Sequence, residues 1–556
     1  MKATILLLLV YSSAVFSQSI SPLVGKFEVV VFENGIYRKK NITNPEIFNP
    51  DYKTKLQPGS SYQNSLDNNS MVRWSFFDPV AIGDRCQTSG NGLYQVVGWG
   101  LNTERISLYG NSNSTPLWEF FSNPNVFINE VSISDTAGVI ANGSYQNVYL
   151  FNRPSNVPFF NFNLTNLPDT GIAGPVAITG NGRFLVACAS RNDSSTILGF
   201  WRDSTQWVWR YRIGPNPPVG AGIQGIRMSG NDSLIIVNSY GRFYVLRTYT
   251  GQLVYQGLIN PLSQTSGTQS PQGISGNGNI IATINYYGYV RVFQWSGSTY
   301  NLLWQHQEPP GQFYNWMFTV DVTYDGNYVA CGTLNFITSS SYDGKVKLFR
   351  VPGGSTPLWT YTGFGDNVAS VSFSKGGNIL TAASWGDLNN VNNDLLVFKT
   401  TTGANVPIFQ VNGPGSFFWC STSDDGNTVV GSGKRVHARI FGNGGQLYNI
   451  FIDTNDTPVG IHNGLSQVPK DYKLYQNFPN PFNPSTQINY DIQSDGFVRL
   501  SVYDILGREV SVLIDKFQKK GRHSVLFNAE ELSSDLFFYK LEINGFTESK
   551  KMLLIK

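Results

Sequence analysis

The chain has 556 residues, which is too long for one hydrophobic core, so two or three domains are expected. Only 14% of the residues are charged, the net charge is +3 with scattered basic residues, and no run of Lys or Arg suggests a nucleic-acid footprint. Glycine (56), tyrosine (28) and phenylalanine (37) are abundant, a mixture that favours short strands and tight turns over helices.

Residues 1–17 have the pattern of a secretory signal peptide. Lys2 precedes the apolar run 5–10, which is too short to span a bilayer, and small residues then lead to a cleavage site before Gln18. The alternative is an uncleaved membrane anchor. No later segment approaches about 18 consecutive apolar residues, so no transmembrane segment is predicted in the mature chain.

Residues 18–74 lack the repeat that follows them. The apolar run at 27–32 is nevertheless a strand candidate. We expect this run to be the closing strand of the next domain, if that domain is a ring.

A turn motif of the type Ser/Thr-Gly-Asn-Gly recurs between residues 75 and 453. Its copies begin about 48 residues apart, at Ser89, Ser134, Thr179, Ser229, Ser275, Thr323, Ser374 and Ser423. Each copy is accompanied by four short apolar or aromatic runs, which predict four strands. The period predicts an all-β propeller of eight blades, with seven blades as a variant. A series of β-sandwiches is the alternative architecture.

Tryptophans occupy the same place in several repeats and are predicted to pack between blades, namely Trp118, Trp209, Trp304 and Trp359. Trp385 lies outside this register, at the start of a loop insertion. It is therefore our candidate for a ligand contact.

The same insertion is rich in oxygen ligands. Asp387, Asn389 and Asp394 are weak candidates for binding Ca²⁺, because the spacing lacks the glycine and terminal glutamate of an EF-hand. A loop of turn-forming residues is the favoured interpretation, and residues 453–456 have the same ambiguity. No cofactor is predicted, because phosphate-loop and dinucleotide motifs are missing. His306 and His437 have no nucleophile in a known signature nearby, so structural roles are expected for them.

Four cysteines are too few and too widely spaced for a disulfide scaffold. Cys188 and Cys331 belong to distant repeats and are expected to be buried and unpaired. Cys86 and Cys420 occupy equivalent positions in the first and last repeats, which become neighbours if the ring closes. A disulfide between them is a hypothesis.

Residues 454–470 are predicted to be a linker, and alternating strands follow in residues 471–556, as in a small Ig-like β-sandwich. Two motifs stand out there: Asn-Phe-Pro-Asn-Pro-Phe-Asn-Pro at 477–484 and Val-Tyr-Asp-x-x-Gly-Arg-Glu-Val at 502–510. With the Lys-Met segment at 551–552, they resemble the type A C-terminal sorting domain of the type IX secretion system. The matching residues are Asn477, Pro479, Asn480, Pro481, Asn483, Pro484, Tyr503, Asp504, Gly507, Arg508, Glu509 and Lys551.

This resemblance implies export from a Gram-negative cell. The chain would cross the periplasm, its C-terminal domain would bind the type IX machinery at the outer membrane, and it would be released or remain on the surface. Asp535 departs from the glycine that is usual in the family at that turn. A carbohydrate-binding or fibronectin-like accessory module is the alternative.

The repeat body resembles WD-repeat-like and quinoprotein-like propellers at the level of fold. Fold alone does not determine function. We expect a non-catalytic binding or scaffold module for a protein or glycan ligand. The alternative is an enzyme on the central face of the ring: a polysaccharide lyase, a glycosidase or a quinoprotein. Two carboxylates, or a Tyr-His-Arg cluster, on that face would favour the enzyme.

Overall fold

The computed structural model describes residues 69–456 and 471–555, apart from short segments at 101–103, 123–129, 145, 168–171, 192–193, 215–222, 240, 260–269, 311–314, 339–340, 389, 402–404, 441, 478–479, 519 and 530. It also describes two upstream strands, Phe27–Glu33 and Ile36–Ile42. No α-helix occurs among these residues, only the short 3₁₀ segments Leu164–Asn166 and Val351–Gly353. The chain divides into two compact units, the second consisting mainly of Gly460–Lys556.

The first unit contains eight antiparallel sheets of four or five strands, besides the pair Phe27–Glu33 and Ile36–Ile42, and we number these eight as blades 1 to 8, with strands a to d in the order in which they pair. Blades 1 and 2 are Ile82–Thr88, Tyr94–Gly100, Arg105–Gly110, Trp118–Phe121 and Glu130–Ile133, Val139–Ser144, Asn147–Asn152, Phe160–Asn163. Blades 3 and 4 are Ile172–Ile178, Phe184–Arg191, Ser194–Trp201, Trp207–Ile213 and Ile223–Met228, Leu234–Ser239, Arg242–Arg247, Leu253–Leu258.

The other four blades follow the same plan. Blades 5 and 6 are Gly273–Ile274, Ile280–Ile284, Tyr289–Trp295, Tyr300–Gln307 and Trp316–Val322, Tyr328–Phe336, Lys345–Arg350, Trp359–Thr362, and the short strand Tyr342–Asp343 also pairs with blade 6. Blades 7 and 8 are Val368–Phe373, Ile379–Ser384, Leu395–Lys399, Pro407–Val411 and Ser416–Thr422, Thr428–Lys434, Gly445–Phe451, Met71–Asp78. The predicted eight-bladed propeller is thereby confirmed.

The recurring turn joins strands a and b, and its residue types explain its geometry. In blade 1 the Ser89 hydroxyl donates to Asn91 Oδ1 at 2.7 Å and accepts from the Tyr94 N–H at 3.2 Å. The fourth residue of every copy has a positive φ, from 56° at Ala137 to 80° at Gly426. Glycine adopts this conformation without strain, which accounts for its frequency there.

The ring is closed by a strand from the N-terminal side of the repeats. Met71–Asp78 pairs antiparallel with Gly445–Phe451 and completes blade 8. The predicted closing run at 27–32 pairs instead with Ile36–Ile42 in a separate two-stranded sheet. The predicted boundary at residue 75 therefore falls inside the closing strand, which begins where the Asp456 carboxylate accepts the N–H groups of Asn69 and Ser70, each at 2.8 Å.

In most blades, a tryptophan in strand d packs against the next blade. The Trp118 ring lies 5.3 Å from the Phe151 ring at 34°, and Trp74 of the closing strand lies at the same distance and angle from Tyr109. Trp304 and Trp359 repeat this arrangement with Phe349 and Phe398. Trp74, Trp118, Trp209 and Trp304 also donate their indole N–H to a backbone carbonyl in the following blade. Such aromatic pairs each add about 0.5–1.5 kcal/mol beyond area burial.

The a strands surround the axis, and each contacts the a strand of its neighbour around the whole ring. As a sheet edge, an a strand has N–H groups that its own blade does not pair. Side chains of the preceding blade accept several of them: Ser421 Oγ accepts from Thr88, Gln87 Oε1 from Ile133 and Ser132 Oγ from Ile178, at 3.2, 2.9 and 3.2 Å.

Blades 5 and 6 are joined by a buried carboxylate. Glu308, 2% exposed, contacts Lys345 Nζ at 2.7 Å and Lys347 Nζ at 2.8 Å, and accepts from Asn335 Nδ2 at 2.9 Å. Burial opposes ionisation, but the ammonium groups of Lys345 and Lys347 outweigh it and hold the pKa of Glu308 well below its ordinary value.

We expect Glu308→Gln to destabilise the propeller by about 3–5 kcal/mol, because it leaves buried lysines without a counter-charge. Since the folded-state pKa is depressed, this stabilisation is complete above about pH 5 and decreases progressively as the pH falls below about 4 towards the folded-state pKa. Thermal unfolding of the full chain at pH 7 and pH 3.5 measures both effects. Glu542→Gln, at an exposed pair with Lys540, is the control and should cost less than about 1 kcal/mol. Equal losses for the two variants would contradict the expectation.

All four cysteines are buried free thiols. Cys86 Sγ faces blade 8, 3.6 Å from the Trp419 carbonyl oxygen, whereas Cys420 Sγ faces blade 7, 3.6 Å from the Ser370 carbonyl oxygen. Side chains at equivalent positions of successive blades all point towards the preceding blade. The two thiols therefore do not face each other. The structure thus corrects the disulfide hypothesis, although the repeats that carry them are neighbours.

The second unit is a β-sandwich. One sheet contains Lys473–Leu474, Ser485–Ile492 and Gly521–Asn528; the other contains Glu509–Gln518, Gly496–Tyr503, Leu536–Ile543 and Phe546–Leu553, each in pairing order. Alternate residues of both sheets form one apolar core, which includes Ile488, Leu500 and Leu541. This alternation is the reason that the sequence pattern predicted a sandwich.

Candidate functional site

The a–b turns meet at one end of the axis. Their backbones are hydrogen-bonded from turn to turn, including Asp424 N to the Gly90 carbonyl between blades 8 and 1. The second residue of each turn faces this ring, and the eight are Gly90, Asp135, Gly180, Gly230, Gly276, Tyr324, Lys375 and Asp424.

Large and small residues at these positions are complementary. The Tyr324 ring occupies the space where a Cβ would be at Gly230 or Gly276, and Asp135 does so at Gly180. Lys375 Nζ lies 3.1 Å from Asp424 Oδ2. Burial and the Asp424 carboxylate raise the pKa of Asp135. The axis is therefore closed at this end by its own side chains, and a ligand of the central channel would have to enter from the opposite end.

The b–c loops and d–a connections lie at the opposite end, which we call the mouth. Trp385 is at the mouth, directly after strand b of blade 7, and is partly exposed. Its ring lies 6.3 Å from Phe318 and 6.1 Å from Phe418, on the neighbouring blades. Its N–H donates to the Asn367 carbonyl at 2.9 Å, which fixes its backbone. The predicted ligand contact is thus part of an aromatic arc.

Arg439 connects this arc to blade 6. Its guanidinium lies 3.8 Å above the Tyr342 ring and 5.4 Å from the Trp385 ring. It also binds both carboxylate oxygens of Asp366, with Nε and Nη2 at 2.6 and 2.9 Å. An Arg that is both stacked and paired in this way is rigid and neutralised. Arg439, Asp366 and Tyr342 could not be predicted from sequence, since they belong to different repeats and meet only in the folded ring.

His437 completes a Tyr-His-Arg cluster at the mouth. Its ring is buried; Nδ1 accepts the Arg439 backbone N–H at 3.2 Å, and Nε2 lies 3.2 Å from the Gly386 carbonyl oxygen. This arrangement places the proton on Nε2 and occupies both nitrogens. Burial lowers the pKa of His437 despite the nearby Asp366. The imidazole therefore has a positioning role and no free lone pair for proton abstraction.

The candidate Ca²⁺ ligands Asp387 and Asp394 form hydrogen bonds with different parts of the chain. The Asp387 carboxylate accepts the N–H groups of Val391 and Asn392 at 2.8 and 2.6 Å, so it stabilises its own loop. Asp394 is fully buried and accepts from Gly413 N at 2.8 Å; burial raises its pKa well above the ordinary value. Asn389 lies outside the described residues. Over the part of the chain that the structure describes, no group of three His, Cys, Asp or Glu side chains is arranged to hold a metal ion.

Charged side chains of the a strands are paired along the axis. Arg85 lies 4.2 Å from the Trp419 ring and 3.3 Å from Glu130, which joins blades 8, 1 and 2. Arg227 reaches past the short a strand of blade 5 to the Asp321 carboxylate of blade 6. These pairs link blades across the interior, and neither leaves its arginine without a counter-charge.

In the second unit, residues of the Asn-Pro motif form hydrogen bonds with the C-terminal strand. Asn480 Oδ1 accepts from Leu553 N at 2.8 Å, and the Phe482 backbone bonds to Leu553 and Ile555. Asn477, 1% exposed, donates its backbone N–H to Tyr539 Oη at 2.7 Å. Pro481 and Pro484 follow cis peptide bonds, Asn483 is exposed between them, and Pro479 lies outside the described residues.

The other motif forms a hairpin turn. Asp504 accepts the N–H groups of Leu506 and Arg508 at 2.9 Å, and its other oxygen accepts from Arg508 Nε at 2.7 Å. Gly507 has a φ of 78°, which explains the glycine.

The flanking residues of this motif are also paired. Tyr503 Oη donates to Glu509 at 3.3 Å, while Lys551, on the far edge of the sheet, accepts from Gln476 through its carbonyl at 2.7 Å. The predicted motif residues that the structure describes therefore build the fold of this domain.

Comparison with known families decides the identity of this domain. The family model described as the secretion system C-terminal sorting domain matches residues 476–556. This domain is a type IX sorting domain. The sorting domain indicates that the protein is exported, to the cell surface or the medium, and that it interacts with the type IX secretion machinery.

One solved structure to which the chain is similar is also a β-propeller domain. The β-propeller domain of Myceliophteria thermophila Cps50 (Swd1) matches at 11% identity over 62% of this chain and 98% of that one, with a TM-score of 0.42. No curated protein matches the chain. None of the helical segments in the described residues is long and apolar enough to cross a bilayer.

Proposed function

We propose that this exported propeller is a non-catalytic binding module whose ligand contacts the mouth. A signal peptide at residues 1–17 delivers the chain to the periplasm, and the sorting domain then directs it across the outer membrane. The observation that supports the binding site is the aromatic arc of Phe318, Trp385 and Phe418, with the rigid Arg439 at its edge. Phe318 and Trp385 are partly exposed, whereas Phe418 is buried behind them. Aromatic rings held rigidly in this way supply contact area at a small entropic cost.

A specific observation also bears on the enzyme alternative. Tyr342, His437 and Arg439 form a Tyr-His-Arg cluster, the arrangement expected of some polysaccharide lyases. Here the arginine is bound by Asp366, and both imidazole nitrogens are occupied. Lyase chemistry requires a free base. The occupied nitrogens therefore argue against His437 as that base, and we propose binding without turnover for this cluster.

A panel of soluble glycans and unstructured peptides, incubated with the purified mature protein, tests the proposal. We expect retention of at least one ligand and at least a tenfold loss of affinity in Trp385→Ala. Phe121→Ala removes a ring that is 63% exposed on the outer strand of blade 1 and should leave binding unchanged. Mass spectrometry of the same mixtures detects reaction products. If products form and His437→Gln abolishes their formation, the protein is an enzyme and the proposal of a non-catalytic binding module is wrong.

A further inference from the structure

Exposed aromatic rings are concentrated in the c–d turns of three adjacent blades. Phe159, Trp201, Trp207 and Tyr249 of blades 2, 3 and 4 are 39%, 45%, 41% and 37% exposed. Because strands alternate in direction, the c–d turns lie at the same end of the ring as the a–b turns, away from the mouth. We call these four residues the aromatic strip.

A buried tryptophan holds the strip in place. The Trp209 ring fills the space beside Gly199 and Gly251, where any Cβ would overlap it. Its indole N–H donates to the Thr248 carbonyl at 2.9 Å and so ties the c–d turn of blade 4 to blade 3. Tyr249 directly follows Thr248, and its position relative to blade 3 is therefore determined by a buried contact.

The rings lie close together as a result. Trp201 and Tyr249 are nearly parallel, 19° apart, with centroids separated by 5.8 Å. Phe184 supports both from below, edge-on, at 4.9 Å and 5.1 Å. The Arg202 guanidinium lies 5.7 Å from the Phe159 ring and extends the surface to blade 2.

The turns that hold the rings are closed by backbone hydrogen bonds. Ser204 N donates to the Trp201 carbonyl at 3.0 Å, and Gly251 N donates to the Arg247 carbonyl at 2.9 Å. The strip is thus ordered before any ligand arrives, which reduces the entropic cost of binding.

We propose that the aromatic strip binds a polysaccharide. Pyranose rings present a flat face of C–H groups that packs on aromatic faces, while their hydroxyl groups need hydrogen-bond partners at the edge. The strip offers both: parallel rings of Trp201 and Tyr249, and the polar residues Arg202, Asp203 and Gln206 in the same turn. Exposed apolar patches with a polar rim typically mark interaction sites.

The choice of a glycan over a protein partner follows from the residue types. The four side chains of the strip are planar aromatics, and charged and amide side chains lie in the same turn, a combination that suits a hydroxyl-rich sugar ring better than an apolar protein anchor. Export places the strip where polysaccharides of surfaces and biofilms occur. This site goes beyond the proposed function, because it lies at the opposite end of the ring from Trp385.

Affinity electrophoresis of the full-length protein in gels containing polysaccharides of different linkage tests the proposal. We expect at least one polysaccharide to retard the protein, with an at least tenfold weaker affinity in Trp201→Ala and in Tyr249→Ala. Trp201→Phe keeps a ring and should retain part of the retardation. Phe121→Ala, which removes a more exposed ring outside the strip, should behave like the unaltered protein, and thermal unfolding confirms that each variant is folded.

The possible results distinguish glycan binding at the strip from glycan binding at the mouth. Retardation that Trp385→Ala abolishes and the double variant Trp201→Ala/Tyr249→Ala preserves would overturn the strip and support the mouth. The reverse result would support the strip and leave the proposed site at the mouth without glycan binding. Equal mobility of the unaltered protein in every polysaccharide gel would overturn the strip proposal.

Discussion

Deleting residues 471–556 should leave the protein in the periplasm, with none at the surface or in the medium. The deleted residues are the domain that interacts with the secretion machinery. The propeller forms a separate compact unit with its own cores, so it should remain folded after truncation. Cell fractionation with an antibody against the propeller measures the outcome, and protease resistance of the retained protein checks its fold. Normal surface delivery of the truncated chain would contradict the assignment.

A point substitution tests whether the folded sorting domain is required. Tyr539 is fully buried, accepts the Asn477 N–H at 2.7 Å and donates to the Tyr475 carbonyl at 2.8 Å. Tyr539→Phe leaves both backbone groups without this partner, at a cost of about 1–3 kcal/mol. Export should decrease, whereas the control Tyr472→Phe, which loses only exposed hydrogen bonds with Ser494 and Asn544 outside both motifs, should be exported normally.

The second large effect concerns ring closure. Trp74→Ala should destabilise the seam between blades 8 and 1 by about 3–5 kcal/mol, the usual cost of truncating a buried aromatic ring. Met71–Asp78 is held only by pairs that are distant in sequence, so weakening its packing releases the strand from Gly445–Phe451. Hydrogen exchange should then accelerate in Gly445–Phe451, because its outer edge becomes accessible.

Trp118→Ala is a closely matched control. The two tryptophans are 8% and 9% exposed and pack at the same 5.3 Å and 34° against the next blade. The control should lower the unfolding temperature by a similar amount without increasing exchange in Gly445–Phe451. If both variants left exchange in that strand unchanged, the role of Met71–Asp78 in closing the ring would be refuted.

Local residue chemistry was sufficient to predict the propeller and the sorting domain. The turn of Ser/Thr, Asn/Asp and Gly is stabilised by contacts within five residues, as in Ser89 to Tyr94, so its repetition is visible in sequence. The closing strand could also have been found: Trp74-Ser75-Phe76 repeats the Trp-x-aromatic pattern of Trp118-Glu119-Phe120. The run at 27–32 was chosen on its apolar character alone, which cannot identify a pairing partner.

Other features were decided only by the tertiary structure. Cys86 and Cys420 occupy equivalent positions, but each thiol points towards the preceding blade. Cys86 therefore contacts blade 8 and Cys420 contacts blade 7. The juxtaposition of Tyr342, Trp385 and Arg439 depends on three loops that lie far apart in the chain and meet because the ring brings blades 6, 7 and 8 together. Periodicity in sequence determines which strands form, because each strand and turn is a local choice of backbone conformation. Which side chains meet at the mouth or on the strip depends on how neighbouring blades stack. The sequence of one repeat does not contain that information.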